Sequence, residues 1–96
     1  MEAIATYDIV RFGDQLMVVV ESDLLPPDTA IVVIPLIREY PAVSKLNPTI
    51  HFQQDPYVLA TRLIASVRRA RVRIVGSAKT QRDEITRAVD VLMSGV

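Results

Sequence analysis

The chain contains no cysteine and a single histidine. Without cysteine there is no disulfide scaffold, no thiolate metal site and no cysteine nucleophile, and the redox compartment stays open. One histidine, His51, is too few for a histidine metal cluster. Long apolar runs are missing as well. The longest, such as Leu16–Val20 and Ala30–Leu36, fall far short of the roughly 20 residues that cross a bilayer. Met1-Glu2-Ala3-Ile4 has no basic stretch ahead of an apolar core, so no signal peptide and no membrane partner are expected, and the cytoplasm is the expected location. Net charge is absent too, with eleven basic side chains balancing eleven acidic ones. That argues against binding nucleic acid mainly by neutralising phosphates, although it leaves room for a local basic patch. No Walker sequence, dinucleotide fingerprint, nucleophile elbow or metal-binding helix motif is found.

What is present describes a small sheet protein. Ninety-six residues suit one compact domain, 1–96, burying about 60–65% of the surface its unfolded form exposes. Half the residues are apolar and 23% charged, which excludes disorder. Val and Ile together supply 23 residues, and β-branched side chains suit a pleated, half-buried surface. Ala3–Val10 and Gln15–Ser22 read as a hairpin closed by Gly13-Asp14. Pro26-Pro27-Asp28 marks a loop, because proline has no amide proton for a ladder. Ala30–Leu36 reads as a strand covered on both faces. Ile37–Pro48 reads as irregular, Thr49–Gln53 and Tyr57–Thr61 as a short hairpin turning at Gln54-Asp55-Pro56, and Arg71–Gly76 as a last strand with one wet face.

The C-terminus changes period. Ile85, Ala88, Val89, Leu92, Met93 and Val96 recur at helical spacing and form one apolar stripe. Thr80 followed by Asp83 resembles a capping box, and Asp83 and Glu84 place negative charge at the positive end of the dipole. The spacing predicts a helix from about Thr80 to Met93. Its stripe continues to the last residue, where chains normally fray. The last turn is therefore expected to dock on the sheet or on another molecule, and a homodimer suits a small domain with spare apolar surface at one end.

Two groups of polar residues invite a chemical reading. Arg62, Arg68, Arg69, Arg71 and Arg73 are able to grip phosphates or carboxylates, or to lie as a solvated turn and the wet face of the last strand. No aromatic alternates with them to stack bases. His51 is expected to be a structural histidine bonded to backbone. A catalytic role would need a partner such as Asp14, Asp55 or Arg62. The residues by themselves describe a dimeric, mostly-β interaction domain with a C-terminal helix and no recognisable active site.

Three stretches go further. Leu16-Met17-Val18-Val19-Val20-Glu21-Ser22-Asp23-Leu24-Leu25 holds a strand, a Glu-Ser-Asp turn and two aliphatics. Val33-Ile34-Pro35-Leu36 follows at a set spacing, and Glu84-Ile85-Thr86-Arg87-Ala88-Val89-Asp90-Val91-Leu92-Met93 closes on Gly95-Val96. Pro48-Thr49-Ile50-His51 and Val75-Gly76 fit the same order. Together they resemble the CcdB family, the toxin half of a plasmid-type toxin–antitoxin pair. The resemblance implies an α+β, mostly β fold: an SH3-like barrel with an appended small sheet and a C-terminal α-helix. It implies a homodimer whose helix ends meet near the two-fold axis, with no enzymatic activity, cofactor or metal. Such dimers wedge into the DNA gyrase A subunit and trap its cleaved-DNA complex. A cognate antitoxin with a disordered acidic tail neutralises them, and the pair represses its own operon, the antitoxin supplying the DNA contacts.

The site residues implied are Gly95 and Val96, with Ser94, Met93, Leu24 and Leu25 around them. One departure stands out. The best-studied members of that family end in Trp-Gly-Ile, whereas this chain ends Ser94-Gly95-Val96. A buried aromatic anchor supplies about 2–4 kcal/mol at an interface, and serine has no ring face for a cation–π contact. Compensation would fall to Met93, Leu24 or Leu25, or to an altered gyrase surface. Two alternatives remain at this point. One is a Kid/MazF-like endoribonuclease that enlists Arg11, Asp14, His51 and Arg62. The other is a decayed toxin that retains only antitoxin binding.

Overall fold

A computed structural model describes residues 3–95. Among them are seven strands and one α-helix: β1 Asp8–Phe12, β2 Gln15–Val19, β3 Ala30–Ile37, β4 Thr49–Phe52, β5 Asp55–Leu59, β6 Ala65–Arg68, β7 Arg73–Ser77 and α1 Arg82–Ser94. Every strand pair is antiparallel. The strands run β6-β3-β2-β1-β7, and the far end of β3 also pairs with β5, which carries β4. The edge strands β6 and β7 are joined by the 3-10 turn Arg69–Arg71 and Val72 alone. A 3-10 turn rises only about 2 Å per residue, whereas a flat run of five strands is about 19 Å across. The sheet therefore curls into a half-barrel, with the β4–β5 hairpin as its extension and α1 packed outside. This is the α+β, mostly β architecture expected from the sequence.

The curl explains the nearly continuous apolar strands. Alternate side chains point to opposite faces, and both faces are covered. Val10, Met17, Val19, Ile31 and Val33 fill the inside of the curl. Ile9, Leu16, Val18, Ile34 and Leu36 form the outer face, capped by Ile50, Phe52 and Leu59 of the hairpin and by Ile85 and Ala88 of α1. No residue of β3 is exposed, as its sequence predicts. Gly76 on β7 lets the two layers close. A Cβ there would stand 2.9 Å from Cε1 of Phe52, below any ordinary contact.

The structure corrects several boundaries. The first strand begins at Asp8, not Ala3, because residues 5–8 fold into a turn. Asp8 Oδ2 accepts the Ala5 N–H at 2.8 Å, and Tyr7 has a φ of 72°, which strand pairing does not tolerate. Gly13, at φ 58°, closes the β1–β2 hairpin as expected. The second hairpin turns one residue earlier than the sequence suggests, at Gln53 and Gln54 with φ of 52° and 69°, the signature of a type I′ turn. Asp55 and Pro56 already belong to β5. Thr61 leaves the strand for a 3-10 turn, buried, with its hydroxyl donating to the carbonyl of Leu46. The last strand starts at Arg73 rather than Arg71. β6 was not foreseen.

Candidate functional site

Helix α1 is held at its start and along its inner face. The expected capping box of Thr80 and Asp83 does not form, since Lys79–Gln81 is a 3-10 turn and Gln81 occupies the N-cap without a side-chain cap bond. The Gln81 side chain instead staples the helix to β4. Its Oε1 accepts the His51 N–H at 2.9 Å and its Nε2 donates to the Thr49 carbonyl at 2.7 Å. Further along, the Tyr7 hydroxyl and Thr86 Oγ1 share a hydrogen bond of 2.8 Å, and Ile85 and Ala88 lie buried on the sheet. Sequence reasoning missed both Gln81 and Tyr7. A surface glutamine and a half-buried tyrosine carry no spacing signal of their own.

After Ala88 no described residue of α1 is fully buried, although Val89 still packs against the core. Val89, Val91 and Leu92 are half-buried, Met93 is exposed, and Ser94 and Gly95 face solvent. Gly95 adopts the left-handed conformation at φ 73° and its N–H closes on the Val91 carbonyl at 2.8 Å, the ordinary glycine stop of a helix. The Ser94 hydroxyl donates back to the Asp90 carbonyl at 2.6 Å. Val96 lies outside the described residues.

A groove of about 480 Å³ brings the Ser22-Asp23 turn against this helix, lined among others by Val20, Ile85, Thr86, Val89 and Asp90. The turn is tightly built. Asp23 Oδ1 accepts the Thr6 N–H at 2.8 Å, and Ser22 Oγ accepts the Leu24 N–H at 3.1 Å. Leu24 and Leu25 follow at once, 94% and 57% exposed. The site residues expected from the sequence therefore fall on two stretches, the end of α1 and the turn after β2, whose neighbouring residues share one groove.

The other candidates are scattered. His51 is exposed on β4, and its backbone N–H, not the imidazole expected to bond to backbone, makes the contact with Gln81. Asp14 is exposed in the first hairpin turn, Arg62 is exposed in a 3-10 turn, and Arg11 is half-buried on β1. None of these four lines the groove beside α1. Arg69 is taken up structurally, donating from Nε to the Asp28 carbonyl at 2.8 Å and standing 3.6 Å from Glu21 Oε2. Arg38 clamps the second hairpin. Its guanidinium bonds to Asp55 and to the Tyr57 hydroxyl, and the Asp55 hydrogen bond is the chief cause of its raised pKa. Among the described residues no group of His, Cys, Asp and Glu is placed to hold a metal ion, and no helix is long and apolar enough to cross a membrane.

No curated protein matches the chain. The family model of the CcdB protein matches residues 10–95, a span that holds the Ser-Asp turn, the curled sheet from the middle of β1 onward and all of α1. The chain therefore belongs to the CcdB family, toxins of toxin–antitoxin systems.

Proposed function

We propose that this toxin acts as a homodimer on the DNA gyrase A subunit, trapping the cleaved-DNA complex through the tip formed by Met93, Ser94, Gly95 and Val96 with Leu24 and Leu25. A cognate antitoxin neutralises it in the cytoplasm, and the pair represses its operon in a plasmid-maintenance role. The whole of residues 1–96 serves as one toxin domain without catalytic activity. The observation that carries this reading is the exposure of large apolar side chains at the end of α1 and in the turn after β2. Met93 and Leu24 are 76% and 94% exposed, in a domain whose strands β2 and β3 are covered on both faces. Burying such side chains is worth about 1.5–3 kcal/mol each, so a partner that covers them gains affinity without any change in the fold.

The tip has no aromatic anchor, and Ser94 does not take its place, because its hydroxyl is committed to the Asp90 carbonyl. Affinity then rests on Met93, whose flexible thioether adapts to irregular surfaces, and on the two leucines. Purified protein incubated with gyrase and DNA is expected to accumulate cleavage complexes, and removing Gly95 and Val96 is expected to abolish them. Unchanged cleavage at high toxin excess, with gyrase from the host the toxin came from, would refute the proposal.

A further inference from the structure

The neutral total charge conceals a strong asymmetry. From Arg62 to Arg82 the chain carries seven basic side chains, and between Pro56 and Arg82 it has no acidic one. In the fold this stretch supplies β6, the turn Arg69–Arg71 and β7, the two edges of the curled sheet and the link between them. Arg69 is engaged with Glu21 and Asp28. Arg68, Arg71 and Arg73 are exposed. Among the described residues none of these three has a carboxylate within salt-bridge distance. Directly across the β1–β7 ladder, Arg73 stands opposite Arg11, which likewise lacks an acidic partner among the described residues. Like charges facing each other across strands oppose folding. Charged edges do deter edge-to-edge aggregation, but that purpose asks neither for the Arg11–Arg73 pair nor for the exclusion of acids from the whole stretch.

We propose that Arg11, Arg68, Arg71 and Arg73 form a contact surface for the sugar-phosphate backbone of duplex nucleic acid, engaged without reading bases. Arginine forks match phosphate oxygens. A single strand is a poorer fit. Stacking needs a succession of rings, and Phe12 is the only aromatic next to any of these arginines in the chain. An extended acidic peptide fits less well too. The edges it would extend are only four and five residues long, and the groove beside α1 is not lined by these arginines. The surface is separate from the tip of α1 and gives the toxin a direct hold on DNA that its proposed action on gyrase does not include.

The test is fluorescence anisotropy of a labelled 20-base-pair DNA duplex, titrated with the full chain between about 50 and 200 mM salt. Four phosphate contacts predict a log–log salt slope of about −3 to −4, or roughly 100-fold weaker binding across that range. Arg71→Gln is expected to lower the slope by about one. The triple variant Arg68→Gln, Arg71→Gln, Arg73→Gln is expected to lose detectable binding at low salt with its melting curve retained. Arg87→Gln, an exposed arginine on α1, should change nothing. If the triple variant fails to fold, the slope of Arg71→Gln decides. The proposal is overturned by an absence of wild-type binding at 50 mM salt, by binding that survives the triple substitution, or by Arg87→Gln weakening it as much as Arg71→Gln. Tighter, arginine-dependent binding of poly-glutamate would also overturn it and mark an acidic-protein docking surface. An RNA duplex bound in preference would overturn the direct hold on DNA and assign the same surface to RNA.

Discussion

Ile85 and Met93 lie two turns apart on one apolar stripe of α1, yet Ile85 is 1% exposed and Met93 76%. The first half of the helix rests on the outer face of the sheet, with Ile85 and Ala88 among Ile9, Val18, Ile34 and Leu59. The second half extends past that support. An apolar stripe shows that a helix face is meant to be covered, but not by what. Here the same chemistry serves the fold at one end and is left open at the other. The cut falls beyond Val89, which still packs against the core, whereas Leu92 is half-buried and Met93 exposed.

The two ends should answer differently to substitution. Ile85→Ala removes a fully buried side chain and is expected to cost about 2–5 kcal/mol in chemical denaturation. A loss below about 1 kcal/mol would mean that the helix is not seated as described. Gly76→Ala, on the platform under the helix, pushes a methyl into the Phe52 ring and should destabilise by about 1–3 kcal/mol, read as a lower denaturation midpoint at unchanged slope. Gln81→Ala cuts both hydrogen bonds that tie the helix start to β4. It is expected to cost about 1–2 kcal/mol, the ordinary sum for two such bonds, with earlier amide exchange at Thr49–His51. At the free end, Ser94→Ala removes only a bond to the residue's own helix. It should stay within about 0.5 kcal/mol of the parent by thermal melting.

The supported half of this comparison was readable in the residues alone. β2 and β3 announce themselves by β-branched runs, Gly13-Asp14 by its turn chemistry, and the helix by the spacing of Ile85, Ala88 and Val89. What escaped had physical reasons. β6 reads Ala-Ser-Val-Arg, with one half-buried apolar side chain, and is a strand only because β3 offers it a ladder. The turn at Gln53 and Gln54 is hidden in the sequence because glutamine has no preference for positive φ, while Pro56 reads as the breaker. Pro56 is tolerated in β5 because that strand pairs with β3 only at Val58 and Leu59, leaving the missing donor off the ladder. Thr80 looked like a cap until the 3-10 turn moved the helix start past it. The stripe's run to the last residue was readable from its spacing, but the proposed gyrase-binding role of that end rests on family resemblance. Nothing in the spacing of Leu24, Leu25 and Met93 distinguishes an interface from an unfinished core, and their exposure became visible only in three dimensions.

The most direct test is to titrate gyrase and DNA with the parent toxin and with Met93→Asp, following cleavage complexes and thermal melting of the same preparations. Cleavage complexes are expected for the parent, with a loss of at least tenfold in potency for Met93→Asp and melting curves that stay close together. Equal potency of the two proteins, or loss of potency only in step with unfolding, would contradict it.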